Sequence, residues 1–266
     1  MYEAINEAFS RQSESFDDYE ERNETLKWMR SITHKHILRY LKDNDTILEL
    51  NSGSGIDAVF LGTRGFRIHC TDIAEGMMQK LEGKVHRMKL SNFISFQILS
   101  FTELNRLNKN SFDYIFSNFG GLNCAVDLNY LFRQFHNILK PGGRISLVIM
   151  PPICPWEIAL VLRGKFKTAF RRLNKRGLLA NVEGIRFPTY YYSAHDVREA
   201  LGPDYKILDI QGLGSISPPP YMENFPKRYP KLFKILTLTD EKVSRYFPFN
   251  RFADHFILTA EYEPRV

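Results

Sequence analysis

The chain is poor in cysteine. Cys70, Cys124 and Cys154 are the only three in 266 residues, and no C-x-x-C pair occurs. That excludes a disulfide framework or a thiolate zinc site, so no metal is expected, and it fits a reducing, cytoplasmic setting. No apolar run approaches the ~18 residues that a bilayer-spanning helix needs. The N-terminus is polar and acidic, unlike a secretory signal, and there is no internal repeat or low-complexity tract. Positive charge is in modest surplus, +6 at pH 7 with a pI near 9.1, which permits an anionic partner without requiring one. The remainder, 44% hydrophobic and 25% charged, is ordinary for a globular protein. A chain of this length suffices for one large domain or a domain with a cap.

What the chain does have is a strand that breaks into a glycine loop. Thr46-Ile47-Leu48-Glu49-Leu50 is followed by Asn51-Ser52-Gly53-Ser54-Gly55 and then by the helix opening Ile56, Val59, Phe60. Strand, glycine loop and helix start form the front half of a nucleotide-binding βαβ unit. Gly53 and Gly55 let the backbone approach a ligand closely, and the helix start presents unpaired N–H groups. Gly53-x-Gly55-x-x-Ala58 also fits the dinucleotide fingerprint. Glu49 favours S-adenosylmethionine over NAD, because an acid beside the loop repels a pyrophosphate and suits a cofactor with a sulfonium and a free amino group.

A second acid follows at Asp72, which ends Phe66-Arg67-Ile68-His69-Cys70-Thr71 and lies 19 residues beyond Gly53. That spacing suits a carboxylate on ribose hydroxyls, a feature shared by both cofactors. An N-cap for the next helix is compatible with it.

Glu49-Leu50-Asn51-Ser52-Gly53-Ser54-Gly55 resembles the first motif of the class I S-adenosylmethionine-dependent methyltransferases. Phe112-Asp113-Tyr114-Ile115-Phe116-Ser117-Asn118 is similar to that family's fourth strand, and Leu139-Lys140-Pro141-Gly142-Gly143-Arg144-Ile145 to the turn and fifth strand. The resemblance covers residues 46–150 well. It departs at Asn51, where the family usually has glycine, and at Ser100, where many members carry an aspartate for the adenine amino group.

The resemblance implies an α/β fold: a doubly wound, mostly parallel seven-stranded sheet, Rossmann-like, with helical lid insertions. Residues 1–45 would form a helical segment over the cofactor site and 46–150 the cofactor-binding core. Residues 151–192 would be an inserted lid, and 193–266 would complete the sheet. By the same resemblance, Glu49, Asn51, Gly53 and Gly55 hold the methionine end of S-adenosylmethionine, and Asp72 takes the ribose hydroxyls. Ile73, Met77 and Phe101 flank the adenine, with Ser100 at its edge. Asn118 or Phe119 touches the methionine part or the acceptor, and Phe16 or Tyr19 reaches the methionine end from the N-terminal segment. Phe101, Phe16 and Tyr19 read equally well as core aromatics.

Outside the core, a short, partly ordered lead is expected before a helix from about 20 to 41, with Leu26, Met29, Ile37 and Leu41 on its apolar face. Strands are expected near 46–50, 66–71, 94–99, 112–117 and 143–150. After Pro155-Trp156, the stripe Ala159, Leu162, Phe166, Ala169, Phe170, Leu173 predicts a helix whose other side is basic, from Arg163 to Arg176. A basic amphipathic helix can lie on an anionic membrane or contact nucleic acid, or simply be solvated. No aromatic interleaving typical of a single-strand groove accompanies it, which speaks against nucleic acid.

Tyr190-Tyr191-Tyr192, if extended, must point to alternating sides, one of them suited to an acceptor pocket. Ser193 reads as an N-cap for a helix from Ala194 to Leu201. His195 is the histidine best placed for acid–base work, and a surface position is its simpler reading. The proline-rich loop from Gly214 to Pro220 lies between the two final strands, 205–212 and 255–262. The expected activity is methyl transfer by direct displacement to a small or medium-sized, apolar or aromatic acceptor. An RNA acceptor and a non-catalytic cofactor-binding role are the alternatives.

Overall fold

The structure, a computed structural model, describes residues 1–265. Two helices precede the sheet, α1 (Tyr2–Arg22) and α2 (Glu24–Ile37). The partly ordered lead is thus a 21-residue helix, and the single helix expected from 20 to 41 is divided at Asn23. Its side-chain oxygen accepts the N–H groups of Thr25 and Leu26, both at 3.1 Å. A short polar side chain that competes for backbone donors caps a new helix better than it continues an old one.

The core then alternates: β1 (Thr46–Leu50), α3 (Ile56–Gly62), β2 (Arg67–Asp72), α4 (Glu75–Arg87), β3 (Ile94–Ile98), β4 (Phe112–Ser117), α5 (Leu128–Ile138) and β5 (Leu139–Ile149). The fifth strand begins four residues before the expected start, because Leu139 already pairs with Phe112 ahead of a register shift.

The segment after β5 carries α6 (Pro155–Ile158), α7 (Phe166–Ala169) and a hairpin of β6 (Leu178–Val182) and β7 (Ile185–Thr189). The long basic helix expected here does not form. Gly164 stands at φ +69° between short turns, and a left-handed residue ends a helix. The chain closes with α8 (Ala194–Leu201), β8 (Tyr205–Leu213), α9 (Asn224–Arg228), α10 (Pro230–Val243) and β9 (His255–Tyr262). Ser193 and Asp196 form the capping box of α8.

Seven strands make one sheet in the order β3-β2-β1-β4-β5-β9-β8, parallel through β5, with β9 antiparallel to both its neighbours. Strand order reverses between β1 and β4, so a crevice opens at their carboxyl ends, where open α/β sheets take ligands. Alternation along β1 divides the core. Leu48 and Leu50 pack on the face of Phe132 and Phe135, and Ile47 on the face of Met29, Ile37 and Cys70. All three cysteines are buried and free. Among the described residues, no helix is long and apolar enough to cross a membrane.

Candidate functional site

A cavity of about 360 Å³ lies at the carboxyl ends of β1 and β4. Asn51, Gly53, Asp72, Ile73 and Met77 line it on one side, and Ser100, Phe101, Asn118 and Phe119 continue the wall. Helix α1 covers it with Tyr2, Ile5, Phe9 and Phe16, whose spacings of 3, 4 and 7 place them on one helical face. The hydroxyl of Ser10, on α1, accepts the Gly76 N–H at 3.0 Å, and a Cβ on Gly76 would lie 2.6 Å from the Ser10 carbonyl oxygen. Asp17 joins α1 to the glycine loop, accepting from Ser54 Oγ at 2.6 Å and from Lys84 Nζ at 2.7 Å.

Asn51 stands where the family resemblance expects a glycine, and it adopts a glycine-like backbone. Its φ is +54°, in the left-handed region that Asn tolerates. Gly53 has the same φ, and a Cβ there would meet nothing within 4 Å. Gly55 serves another purpose. At φ +80° its missing Cβ would sit 2.1 Å from Leu81 Cδ1, so it admits α4 against the loop and does not line the cavity.

Asp72 is the one carboxylate in the cavity wall. Its Oδ2 accepts the Gly53 N–H at 2.9 Å and its Oδ1 the Ala74 N–H at 2.8 Å. Burial raises its pKa even against those backbone donors. No cation pairs with it among the described residues, so hydroxyl donors from a ligand are what would compensate its desolvation. Ser100 caps the turn that follows, its Oγ accepting the Thr102 N–H at 3.1 Å. Phe101 stands edge-on to Tyr2, with centroids 6.0 Å apart.

Two further expected residues lie elsewhere. Glu49 shares the parity of Ile47 along β1, so it points into the core beside Cys70 Sγ at 3.8 Å and not into the cavity. Burial, and then the charge of Asp57, push its carboxyl well above the usual range. The preference for S-adenosylmethionine over NAD therefore cannot rest on Glu49. Tyr19 lies almost one helical turn beyond Phe16, in a separate polar cleft with Arg22, Glu223 and Lys227. Phe16 borders both spaces.

Beneath the loop runs an ion network that sequence spacing gave no means of pairing. Arg30 binds Asp57 and, at 2.9 Å, Glu20. His34 Nε2 is 2.6 Å from Asp57 Oδ1, and its ring stacks on Phe60 at 3.6 Å. Burial alone would raise the Asp57 carboxyl, but Arg30 and His34 outweigh it and hold it below the usual carboxylate range. For Glu20 burial wins, and its pKa is raised. The network reaches the cavity through Asn118, whose Nδ2 donates to Asp57 Oδ2 at 3.0 Å. The only sequence signal was the i, i+4 pair Arg30 and His34 on one helix face.

The far end of the cavity is walled by Cys124, Met150 and the hairpin residues Ala180, Val182 and Phe187. Asn123 fastens this end. Its Nδ2 donates to the carbonyls of Met150 at 3.0 Å and Tyr190 at 2.6 Å, and its Oδ1 accepts the Met150 N–H at 2.9 Å. The three tyrosines alternate: Tyr191 faces the cavity, while the rings of Tyr190 and Tyr192 lie together, 6.4 Å apart. Arg172 sits 5.2 Å from the Tyr191 ring. Cys154, Glu157 and Asp254 converge like metal ligands, but Arg172 Nη2 already lies 2.8 Å from Glu157 and 2.7 Å from Asp254. His195 is exposed, 3.3 Å from Glu199, and takes no part in the cavity.

Residues 47–143, from within β1 to the start of β5, match the family described as methyltransferase domain. Over these residues the chain carries a methyltransferase domain. An uncharacterized protein of Methanocaldococcus jannaschii is 26% identical over 203 residues, covering 74% of each chain. The fold is similar to that of an S-adenosylmethionine-dependent methyltransferase from Methanosarcina mazei, with TM-score 0.60 and 16% identity over 86% of this chain and 97% of that one. It is also similar to geranyl diphosphate C-methyltransferase from Streptomyces coelicolor, solved with Mg²⁺, geranyl diphosphate and S-adenosyl-L-homocysteine. There the TM-score is 0.57, with 13% identity over 87% and 78% of the two chains. The fold is thus that of S-adenosylmethionine-dependent methyltransferases, and Asp72 stands in its cavity as a buried carboxylate without a cation partner among the described residues.

Proposed function

We propose that this methyltransferase holds S-adenosylmethionine between Asp72 and the Asn118 loop, and methylates a small or medium-sized, uncharged apolar or aromatic acceptor. Asp72 accepts the ribose hydroxyls, Ile73, Met77 and Phe101 flank the adenine, and Ser100 borders its edge. Asn51, Gly53 and Asn118 receive the methionine end. S-adenosylmethionine supplies a methyl carbon made electrophilic by its sulfonium. The protein's own part is to align the acceptor beyond Phe119 and to keep water out. Helix α1 and the β6–β7 hairpin supply that enclosure.

The observation that carries this reading is the wall of the acceptor end. Among the described residues lining the cavity there is no Lys, Arg or His, and Asp72 is its only carboxylate. Burial pushes the Cys124 thiol up to about 12 and also raises Tyr191. Such a wall offers neither a counter-charge nor a base active near neutral pH, so the acceptor must be uncharged there and bring its own nucleophile. A diphosphate acceptor, as in the Streptomyces protein, would find no side-chain cation in this wall and would need a metal ion to offset its charge. A non-catalytic role calls for a blocked acceptor end, whereas the cavity continues past Met150 to the hairpin.

The test is transfer of labelled methyl from S-adenosylmethionine to a panel of neutral aromatic and aliphatic nucleophiles, with RNA and organic diphosphates in parallel. Incorporation into neutral acceptors is expected. Incorporation confined to RNA or to diphosphates would overturn the reading.

A further inference from the structure

Residues 158–182 contain seven Lys or Arg and no Asp or Glu. Arg171 and Arg172 are spent on Glu157. Arg163, Lys165, Lys167, Lys175 and Arg176 are exposed, and none has an acidic partner among the described residues. Between them stand large apolar side chains that a solvated loop has no use for: Leu162 is 90% exposed, Phe166 58%, Phe170 47% and Leu173 49%. Scattered single apolar residues are ordinary, whereas four within twelve positions make a contact surface.

The chain breaks into turns here, so the pattern is not a helix stripe. Its inner side is nevertheless fixed, with Ala169 and Arg172 buried and Trp156 donating to the Ile216 carbonyl at 3.0 Å. The apolar side chains therefore project from an anchored base.

We propose that residues 162–176 dock on an anionic lipid bilayer, with Leu162, Phe166, Phe170 and Leu173 entering the boundary between headgroups and acyl chains. The five free basic residues then lie against acidic headgroups. Charge complementarity selects the occupant: an unpaired basic set mixed with bulky apolar groups matches an acidic interface that is apolar just beneath. RNA matches less well. Contrary to the sequence reading, Phe166 and Phe170 do interleave with the basic residues and could stack on bases, but Leu162, the most exposed of the four, gives a base nothing. The segment runs directly into β6, whose Ala180 and Val182 wall the cavity, so docking sets that wall beside the membrane. The inference stands independently of which acceptor is methylated.

The experiment is co-sedimentation of the full chain with vesicles of phosphatidylcholine alone or mixed with phosphatidylglycerol, at low and high salt. Binding to the acidic vesicles is expected, weakened by salt. Leu162→Asp/Phe166→Asp should weaken it by about tenfold or more, because a charge replaces an inserted group. Lys165→Glu/Lys167→Glu should abolish the preference for acidic lipid. All four positions are exposed, so thermal melts should match wild type. Should the first variant misfold, the second and Phe166→Ser carry the test. No binding to acidic vesicles overturns the proposal. So does binding that both double variants leave intact, and so does RNA affinity that Lys165→Glu/Lys167→Glu removes while vesicles bind nothing. A wild-type dimer that Leu162→Asp/Phe166→Asp dissociates, again without vesicle binding, overturns it in favour of a second copy.

Discussion

Asn118 donates from Nδ2 to Asp57 Oδ2 at 3.0 Å, and this bond couples the cavity wall to the buried charges beneath the glycine loop. Asp57 also holds Arg30 and His34, so one carboxylate fixes α2, α3 and the loop after β4. Asp57→Ala should destabilise the fold by about 3–5 kcal/mol, because it leaves the Arg30 guanidinium buried beside Glu20 alone. Urea unfolding measures this directly. Asn118→Ala should cost no more than about 1–2 kcal/mol, since Asp57 keeps its two cationic partners.

The glycines of the loop should separate. Gly55→Ala meets Leu81 at 2.1 Å and an unfavourable φ together, and should cost about 2–4 kcal/mol of stability. Gly53→Ala meets only the φ penalty, about 1–2 kcal/mol, and its larger effect should be on cofactor affinity. Unfolding and binding measured on both variants check the contrast.

Glu49 predicts a pH effect. Its folded-state pKa is raised, so the unfolded chain releases that proton first as pH rises. Stability from this group is present below the unfolded value, near 4.5, and is lost between that value and the folded one. Glu49→Gln should therefore raise the melting temperature at neutral pH and leave it little changed at pH 4. Melting curves over pH 4–8 test the sign; a neutral-pH loss would contradict it.

Catalysis without a protein base predicts a small effect at Tyr191. Tyr191→Phe should lower kcat by less than about tenfold, whereas loss of a general base costs about 10²–10⁴. The pH profile of kcat should follow the acceptor's own ionisation and be unchanged by the substitution.

The sheet was legible because its signals are local: β1 and β4 fall at 46–50 and 112–117 as apolar runs of strand formers, and Gly53 and Asp72 mark the strand ends around the cavity. Some misreadings depend on partners distant in sequence, and others on local breaks or composition that outweighed the apolar spacing. Glu49 looked like a strand-end acid until its parity with Ile47 placed it in the core. Arg30 and Asp57 stand 27 residues apart, with no local pattern to join them. Tyr2, Ile5, Phe9 and Phe16 do carry a helical spacing, but it was masked by the polar composition of α1. After β5, the apolar stripe from Ala159 to Leu173 suggested one helix, and Gly164 broke it.

The most direct measurement of the central claim is calorimetric titration with S-adenosylhomocysteine and with NAD, for wild type and Asp72→Ala. Binding of S-adenosylhomocysteine alone is predicted. Its affinity should fall by about tenfold or more in the variant, since a carboxylate–hydroxyl hydrogen bond contributes about 1.5–3 kcal/mol. Binding of NAD instead, or S-adenosylhomocysteine affinity unchanged by the substitution, would contradict the assignment of this cavity.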